Sequence, residues 1–269
     1  MSVAISPAAA GAQEPGLATK IGLRVGFLLM LAVLWHFASL IPSIPDYLLP
    51  GPMDVLRTLW SMTADGSIIR SIGASMARIL VGYGISAVGG IVLGVLIARS
   101  WILKQTVGTL ILSLQSLPSI CWLPFALMWV GLNENAILMV IILGALFSIA
   151  LSTESAVRNI PPIYVKVGLT LGAKRLTLAK DILLFASLPE LIGGLKVGWT
   201  FAWRSLMAAE LIRQDVIGVA RLLDTGRQFN DMSMMMASIL VILAIGLTVD
   251  LLVFSKVERT VRRRWGLER

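Results

Sequence analysis

The sequence is poor in cysteine, histidine and charge, with one cysteine and one histidine among 269 residues. The single cysteine, Cys121, excludes a disulfide framework and any cysteine-based zinc or iron–sulfur site. The single histidine, His36, excludes the two-histidine spacing of a metalloprotease helix, so we expect no metal site. Only 14% of the residues are charged, whereas a soluble domain carries roughly 25%. This composition excludes a soluble enzyme.

Hydrophobic residues make up 57% of the chain, and the mean hydropathy is +0.86. So many apolar side chains must face lipid or one another inside a bilayer. A spanning helix needs about 20 predominantly apolar residues. The sequence therefore predicts an all-α integral membrane protein with about six spans, at residues 23–41, 76–98, 108–131, 135–153, 188–212 and 234–254.

The basic residues give the orientation of these spans, because Lys and Arg accumulate in cytoplasmic loops. Sixteen of the 23 basic residues fall on the side that both termini share, six fall on the other side, and Arg204 lies within a span. We therefore expect both termini to be cytoplasmic. Residues 1–20 form a short tail without the charge pattern of a cleaved signal peptide, and residues 21–257 form the membrane domain. The basic tail, 258–269, is expected to bind lipid headgroups rather than nucleic acid.

Two segments near the start of the chain have recognisable patterns. Residues 53–60 place Val55, Leu56 and Leu59 on one face, which predicts a short interfacial helix packed on the bundle. Gly90 and Gly94 in the second predicted span have the spacing that lets two helix backbones approach closely. The spacing leaves open whether the partner helix belongs to this chain or to a second copy.

The loop at 155–187 is too polar to span, yet it has the pattern of a folded segment. Pro161 and Pro162 suit the first turn of a helix, and Gly172 stands where a helix ends with positive φ. A second apolar face at Leu176, Ala179 and Leu183 predicts another helix, which ends where Leu188 and Pro189 reset the chain. Two short helices joined by a glycine turn would transmit a movement of the first helix to the spans on either side. The alternative interpretation, a loop that only caps the bundle, remains open.

Several motifs in the sequence resemble those of a known protein family. Residues 164–173 with 182–195 resemble the cytoplasmic loop of the permease subunits of bacterial ABC importers. Residues 115–131, 75–82, 49–52 and 203–210 are similar to the nitrate, taurine, aliphatic sulfonate and bicarbonate branch. Together these motifs cover about residues 48–265 in the family's order.

The resemblance implies a type I importer fold in the bacterial inner membrane, with a coupling helix that docks on a cytoplasmic ATPase. The residues carried over to that role are Ile163, Tyr164, Val165, Lys166, Val167, Gly168, Leu169, Thr170, Leu171, Gly172 and Ala173. The chain departs from the family where Lys166, Val167 and Gly168 replace the usual Glu-Ala-Ala, and where Phe185 replaces the first proline of the double Leu-Pro pattern. The resemblance also implies a second copy of the chain and an external or lipid-anchored substrate-binding protein as partners.

The chain lacks the groups that would supply its own energy. None of its seven lysines follows a glycine, so no phosphate-binding Gly-x-x-x-x-Gly-Lys-Ser/Thr loop is present. We therefore expect no cofactor on this chain, with ATP and Mg²⁺ on the partner ATPase. No paired carboxylates indicate an intramembrane enzyme. The alternative is an ion-coupled secondary transporter, but such proteins usually show internal repeats and titratable residues at the bilayer midplane.

Arg204 is the one basic residue deep in a predicted span. Counted from Leu188 it lies about 24 Å along the helix, in the outer half of the bilayer. Either it reaches the outer headgroups or a nearby acid, or it lines the translocation path beside Trp203 and Ser205 and attracts an anion. The resemblance favours a small anionic solute of the nitrate, bicarbonate, taurine or alkanesulfonate class, and it leaves open the pyrimidine precursors that related permeases handle.

Overall fold

The computed structural model describes residues 17–43, 45, 47–174 and 177–264, and these residues form helices without any strand. We number the helices in chain order as α1 (Leu17–Ser39), α2 (Pro52–Ala64), α3 (Ser67–Arg99), α4 (Trp101–Gln115), α5 (Ser119–Val130), α6 (Glu134–Arg158), α7 (Pro162–Thr170), α8 (Leu184–Ile212), α9 (Val219–Gln228), α10 (Met232–Val249) and α11 (Ser255–Arg264). The ends of the chain, including most of the predicted tail at 1–20 and the last residues of 258–269, lie outside the described residues.

Helices cover all six predicted spans, but they differ in length and apolar character. Within the described chain, α3, α6 and the continuous run 232–263 are long and apolar enough to cross a membrane. The 15-residue apolar part of α1, Val25–Ser39, is shorter. Helix α8 has 29 residues but carries Glu190, Lys196, Arg204 and Glu210, which explains why its hydropathy is lower.

The predicted span at 108–131 is not one continuous helix. Helices α4 and α5 cover this segment, and the chain bends by 102° between them. Pro118 has an extended ψ of 130° immediately before α5. A proline has no N–H to donate and disfavours helical geometry in the residue before it, here Leu117, so the helix stops. The apolar side chains on both sides hide this break from a hydropathy average.

The core of the molecule is formed by α3, α6 and α8. The close approach predicted from Gly90 and Gly94 occurs with α6 of the same chain. A Cβ added at Gly94 would lie 2.4 Å from the carbonyl oxygen of Ala150, and one added at Gly90 would lie 2.8 Å from Ile149 Cβ. The partner helix that the sequence left open is therefore α6.

The interfacial helix predicted at 53–60 is the longer α2. Val55 is fully buried against α9 and α10, but Leu56 is exposed, so the predicted three-residue apolar face is only partly right. The face that packs is centred on Val55 and Met62 instead, because Met62 lies seven residues, or two helical turns, further along.

The loop after α6 begins as predicted and then differs. Helix α7 starts at Pro162 and is followed by Gly172 with φ of +77°. The predicted second helix is instead a π-helical segment, Leu178–Leu183, that continues directly into α8. Pro189 lies inside α8 and does not reset the chain, because one missing N–H is outweighed by the burial of the helix face that includes Leu191. Leu176 of the predicted apolar face lies outside the described residues.

Candidate functional site

Helix α7 presents an apolar surface at one end of the bundle. Ile163, Val167, Leu169 and Leu171 are exposed, and Leu171 is exposed to 80%. Tyr164, Lys166, Thr170 and Gly172 are exposed as well, whereas Val165 and Ala173 are half-buried. Exposed aliphatic side chains on a short helix are unfavourable in water, so this surface has the character of a protein contact.

The end of α7 is held by a Schellman motif. The Gly172 N–H donates to the Leu169 carbonyl and the Ala173 N–H donates to the Gly168 carbonyl, both at 3.0 Å. This pattern needs a residue with positive φ after the helix, which glycine adopts without strain. The glycine turn predicted from the sequence is thus made by two specific hydrogen bonds.

Gly168 explains one departure from the family pattern. It is the buried residue of α7, and a Cβ added there would lie 2.5 Å from Ile182 Cδ1 and 2.6 Å from Leu178 Cδ1. The π-helical segment therefore packs directly on the backbone of α7. Glycine in place of the usual alanine allows this close packing of α7 on the start of α8.

Side chains also join α6 and α8 at the end that carries α7. Glu190 Oε1 accepts hydrogen bonds from Ser155 Oγ and Asn159 Nδ2, each at 3.1 Å. Along the chain, α7 lies between α6 and α8, and these hydrogen bonds connect the two helices to each other.

A cavity of about 410 Å³ lies beside the break between α4 and α5. We call it the Arg204 cavity, since Arg204 of α8 is the one charged residue that lines it; Gln115, Ser116 and Ser119 supply its other polar side chains. A second, more open groove of about 630 Å³ between α8 and α10 also includes Arg204. No hydrogen bond or ion pair reaches Arg204 from the part of the chain that the structure describes.

The structure places Trp203, Arg204 and Ser205 on different faces of α8. Trp203 is buried in the core, and Ser205 is fully buried with its Oγ 2.8 Å from Ser119 Oγ. Of the three, only Arg204 is exposed. Trp203 and Arg204 both line the groove between α8 and α10, whereas Ser205 faces Ser119, so the three side chains do not form one surface.

Gly144 of α6 allows this part of the site to assemble. A Cβ added at Gly144 would lie 2.0 Å from Ser205 Oγ and 3.3 Å from Ser119 Cβ. The broken segment, α6 and α8 therefore meet at one point, next to the Arg204 cavity. This contact fixes where the break between α4 and α5 lies relative to Arg204.

The exposed faces of α8 and α10 both carry polar and apolar residues. In α10 the exposed residues include Ile239, Leu243 and Thr248, and Leu243 lines the same groove as Arg204. The exposed line of α8 includes Thr200 and Arg204. The Thr200 hydroxyl donates to the Lys196 carbonyl, whereas the guanidinium of Arg204 has no partner in the described chain.

At the opposite end of the bundle from α7, a buried polar network surrounds Glu210, which is fully buried. Its carboxylate accepts hydrogen bonds from Ser75 Oγ at 2.8 and 2.9 Å, from Arg78 Nη1 at 2.8 Å and from the Ala220 N–H at 3.3 Å. Arg78 also makes a bidentate pair with Glu134, at 2.5 and 2.8 Å. We call these groups the Glu210 network, and they join α3, α6 and α8.

Two neighbouring groups extend this network into the loop after α8. Arg213 donates to the Asn133 carbonyl at 2.9 Å and pairs with Asp215. The hydrogen bonds from Arg213 hold the pKa of Asp215 below its ordinary value. Gly218 lies against Glu210, since an added Cβ would be 2.3 Å from the carboxylate carbon.

Sequence reasoning did not find the Glu210 network. Residues 75–78 and 208–210 were noted as separate motifs, and the structure brings Ser75 and Glu210 into contact across 135 positions. A buried ion pair was foreseeable for Glu210, because a carboxylate near the end of an apolar helix requires a partner. The identity of that partner was not available from periodicity.

The chain is similar to a family of membrane transport proteins. A family model described as binding-protein-dependent transport system inner membrane component matches residues 90–263. A putative ABC transporter permease protein of Methanocaldococcus jannaschii is 28% identical, with 88% of this chain and 92% of the relative covered. The taurine transport system permease protein of Escherichia coli is 25% identical, with 87% of each covered. The nitrate import permease protein of Leptolyngbya laminosa is 32% identical, with 60% of this chain and 61% of the relative covered.

A solved structure shares the fold. A chain of the MetNI methionine ABC transporter in an inward-facing conformation superposes with a TM-score of 0.62, with 72% of this chain and 96% of that chain covered at 20% identity. The apolar helices and the family match together define a membrane transport subunit. The chain belongs to the family of binding-protein-dependent transport system inner membrane components, which are ABC importer permeases of the inner membrane. Members of this family act together with ATPase and binding-protein partners.

Proposed function

We propose that this chain forms the solute path of an importer for a small anion of the nitrate, bicarbonate, taurine or alkanesulfonate class. Relatives carry taurine, nitrate, aliphatic sulfonate and bicarbonate in their names. One observation in the structure supports the proposal. Arg204, a residue of the membrane helix α8, lines a cavity, and it has no hydrogen-bond or ion-pair partner in the described chain. Its positive charge provides an attraction for an anion that passes along α8.

Arg204 is the charged residue of α8 that has no hydrogen bond or ion pair in the described chain. Arg78, Glu134 and Glu210 are paired in the Glu210 network, and Lys196 pairs with Asp250 at 2.7 Å. An unpaired Arg in a spanning helix costs roughly 2.5 to 3.5 kcal/mol on insertion scales. Water and a transported anion in the path would offset that cost.

We propose further that α7 is the coupling helix. Residues Ile163 to Ala173 would dock on a separate cytoplasmic ATPase that holds ATP and Mg²⁺, so this chain hydrolyses no ATP itself. The exposed aliphatic surface of α7 and its attachment to α6 and α8 support this role. Both termini are then cytoplasmic, in line with the excess of basic residues on that side.

The remaining partners follow from the same proposal. Two ATPase subunits require two docking helices, so we propose that two copies of this chain form the path. The polar exposed line of α8, with Thr200 and Arg204, would face the other copy across that path. An external or lipid-anchored binding protein delivers the solute, and lipid surrounds the apolar face of α10.

The test is transport by the complex with its ATPase and binding protein in proteoliposomes. Arg204→Gln should lower uptake of the anion severalfold, whereas Arg204→Lys, which keeps the charge, should retain most of it. Arg57→Gln serves as a matched control, because it removes the same charge from an exposed side chain on α2. Unchanged uptake by Arg204→Gln would overturn the proposed role of Arg204.

ATP dependence separates this proposal from a secondary transporter. Uptake should require ATP and the cytoplasmic subunit, and it should persist when the proton and sodium gradients are collapsed. Uptake that follows an ion gradient without ATP would contradict the importer mechanism.

A further inference from the structure

The walls of the Arg204 cavity are mostly apolar, although they include a cation, Arg204, that has no partner in the described chain. Trp122, Phe147 and Phe201 line it together with aliphatic side chains, while its polar side chains are few and lie near the chain break. The three aromatic residues come from α6, α8 and the turn at the start of α5. A site of this kind offers one strong electrostatic contact and a large apolar surface.

This combination distinguishes two kinds of anion. A bare inorganic oxyanion is hydrated on all sides, so entering the cavity would cost it water contacts that aromatic walls do not replace. An anion with an apolar body can place its charged group beside Arg204 and bury its carbon atoms against the walls. Burial of apolar surface is favourable in proportion to the area removed from water.

The volume is consistent with an organic anion. Small-molecule pockets commonly measure about 300 to 1,000 Å³ and combine apolar walls with a few placed polar groups. The Arg204 cavity, at about 410 Å³, lies at the lower end of this range. Gln115, which is half-buried and has no hydrogen-bond partner in the described chain, adds an amide that can contact the same charged group.

We infer that the Arg204 cavity is a selectivity site for organic oxyanions with an apolar body. Arg204 binds the charged group, and Trp122, Phe147 and Phe201 contact the carbon chain. Nitrate and bicarbonate lack such a chain and are bound only weakly. This inference rests on the proposed function, because it assigns the cavity to the solute path.

The chain contains a natural reporter for occupancy of this cavity. Cys121 is the only cysteine, it is exposed, and its neighbours Ile120 and Trp122 line the cavity. A ligand held there should slow the reaction of Cys121 with a maleimide. The experiment measures that rate for the permease–ATPase complex in lipid nanodiscs, without the binding protein, so that the selectivity of the permease itself is observed.

Methane-, propane- and pentanesulfonate are the probes, with sodium nitrate and bicarbonate at equal ionic strength. Each methylene buried against the walls should tighten half-protection of Cys121 by about threefold to fourfold, which corresponds to ~0.8 kcal/mol per CH₂. Pentanesulfonate should therefore protect at a concentration about ninefold to sixteenfold lower than propanesulfonate. Nitrate and bicarbonate should protect only weakly.

Two variants assign the effect to named residues. Arg204→Gln should abolish protection by every sulfonate, and Phe201→Ala should reduce the increment per methylene while leaving weak binding of methanesulfonate. Phe229→Ala, an exposed phenylalanine outside the cavity, is the matched control and should behave like the unmodified chain. The chain-length series on the unmodified protein keeps the inference testable even if Phe201→Ala does not fold.

The failures of the two proposals are distinguishable. Equal protection by nitrate and pentanesulfonate, or no gain per methylene, would overturn the selectivity site and leave the anion path standing. If no anion changes the protection of Cys121 and only the lipid composition does, an acyl chain fills the cavity. That result would also overturn the selectivity site. If Arg204→Gln leaves uptake unchanged in proteoliposomes, the proposed function itself fails.

Discussion

Replacement of Gly172 tests whether the turn after α7 transmits motion. Gly172 has φ of +77°, and a Cβ added there would meet no atom within 4 Å. The cost of Gly172→Val therefore comes from the backbone conformation and not from crowding within this chain. For a left-handed residue with a Cβ this cost is about 1 to 2 kcal/mol, and it is greater for a β-branched side chain.

Such a cost is enough to change how often the turn is intact. A free-energy change of 1.4 kcal/mol is tenfold in an equilibrium constant, so the Schellman hydrogen bonds at Gly168 and Leu169 would open about ten times more often. We expect Gly172→Val to reduce stimulation of the partner ATPase by the loaded binding protein, and to reduce transport, while membrane insertion stays normal. The assay is ATP hydrolysis and uptake in the same proteoliposomes.

Gly172→Asn is the matched control, because the asparagine side chain reaches further from the backbone than that of valine but tolerates positive φ. It should retain most of the stimulation. If Gly172→Val transports normally, the turn does not carry the coupling motion. If Asn is as harmful as Val, the size of the side chain at the ATPase contact is responsible, and the backbone argument is refuted.

Three further predictions follow from packing and charge. Glu210→Ala leaves Arg78 with an incomplete set of partners and should cost about 3 to 5 kcal/mol, seen as a large fall in Tm that Glu190→Ala, at an exposed carboxylate, does not show. Gly144→Ala should cost about 1 to 3 kcal/mol by overpacking against Ser205, whereas Gly84→Ala, which meets no atom within 4 Å, should not destabilise. Hydrogen bonds from Arg227 hold the pKa of Asp224 below its ordinary 3.8. The stability that ionised Asp224 contributes is therefore full above pH 3.8 and is lost as the pH falls through the lowered value. The Tm difference between the unmodified chain and Asp224→Asn should be largest at neutral pH and shrink below pH 3.8.

Features that depend on neighbouring residues were predictable from the sequence. The start of α7 at Pro162 and its end before Gly172 follow from local backbone preferences, and the structure shows both. The close approach at Gly90 and Gly94 was also predictable, because it requires only two small residues one helical turn apart.

Two kinds of feature were not predictable in the same way. One depends on contacts between residues that are far apart in the sequence, and the other is concealed when hydropathy is averaged over a window. The break between α4 and α5 was missed because apolar residues flank Pro118 on both sides, although the proline itself was a usable signal. The Glu210 network was missed because its partners are separated by up to 135 positions in the chain. The π-helical segment that continues into α8 was missed because Pro189 suggested that a helix ends there. Burial of the helix face stabilises the continuous helix despite the proline.

A comparison of Lys196 with Arg204 separates a structural cation from a functional one. Both belong to α8, but Lys196 pairs with Asp250 at 2.7 Å and Arg204 is unpaired within the described chain. The end of α8 at Ile212 is eight residues from Arg204, about 12 Å along the helix, so two helical turns separate the Arg204 Cα from that end.

Lys196→Gln should therefore lower Tm, because it leaves Asp250 without its partner inside a spanning segment. Arg204→Gln removes a charge that nothing in the described chain compensates, and it should leave Tm unchanged or slightly higher. Thermal unfolding of the two variants in the same detergent measures the difference, with uptake measured in parallel. A fall in Tm for Arg204→Gln as large as that for Lys196→Gln would show that Arg204 has a structural partner in the membrane, and it would remove the reason to place an anion beside it.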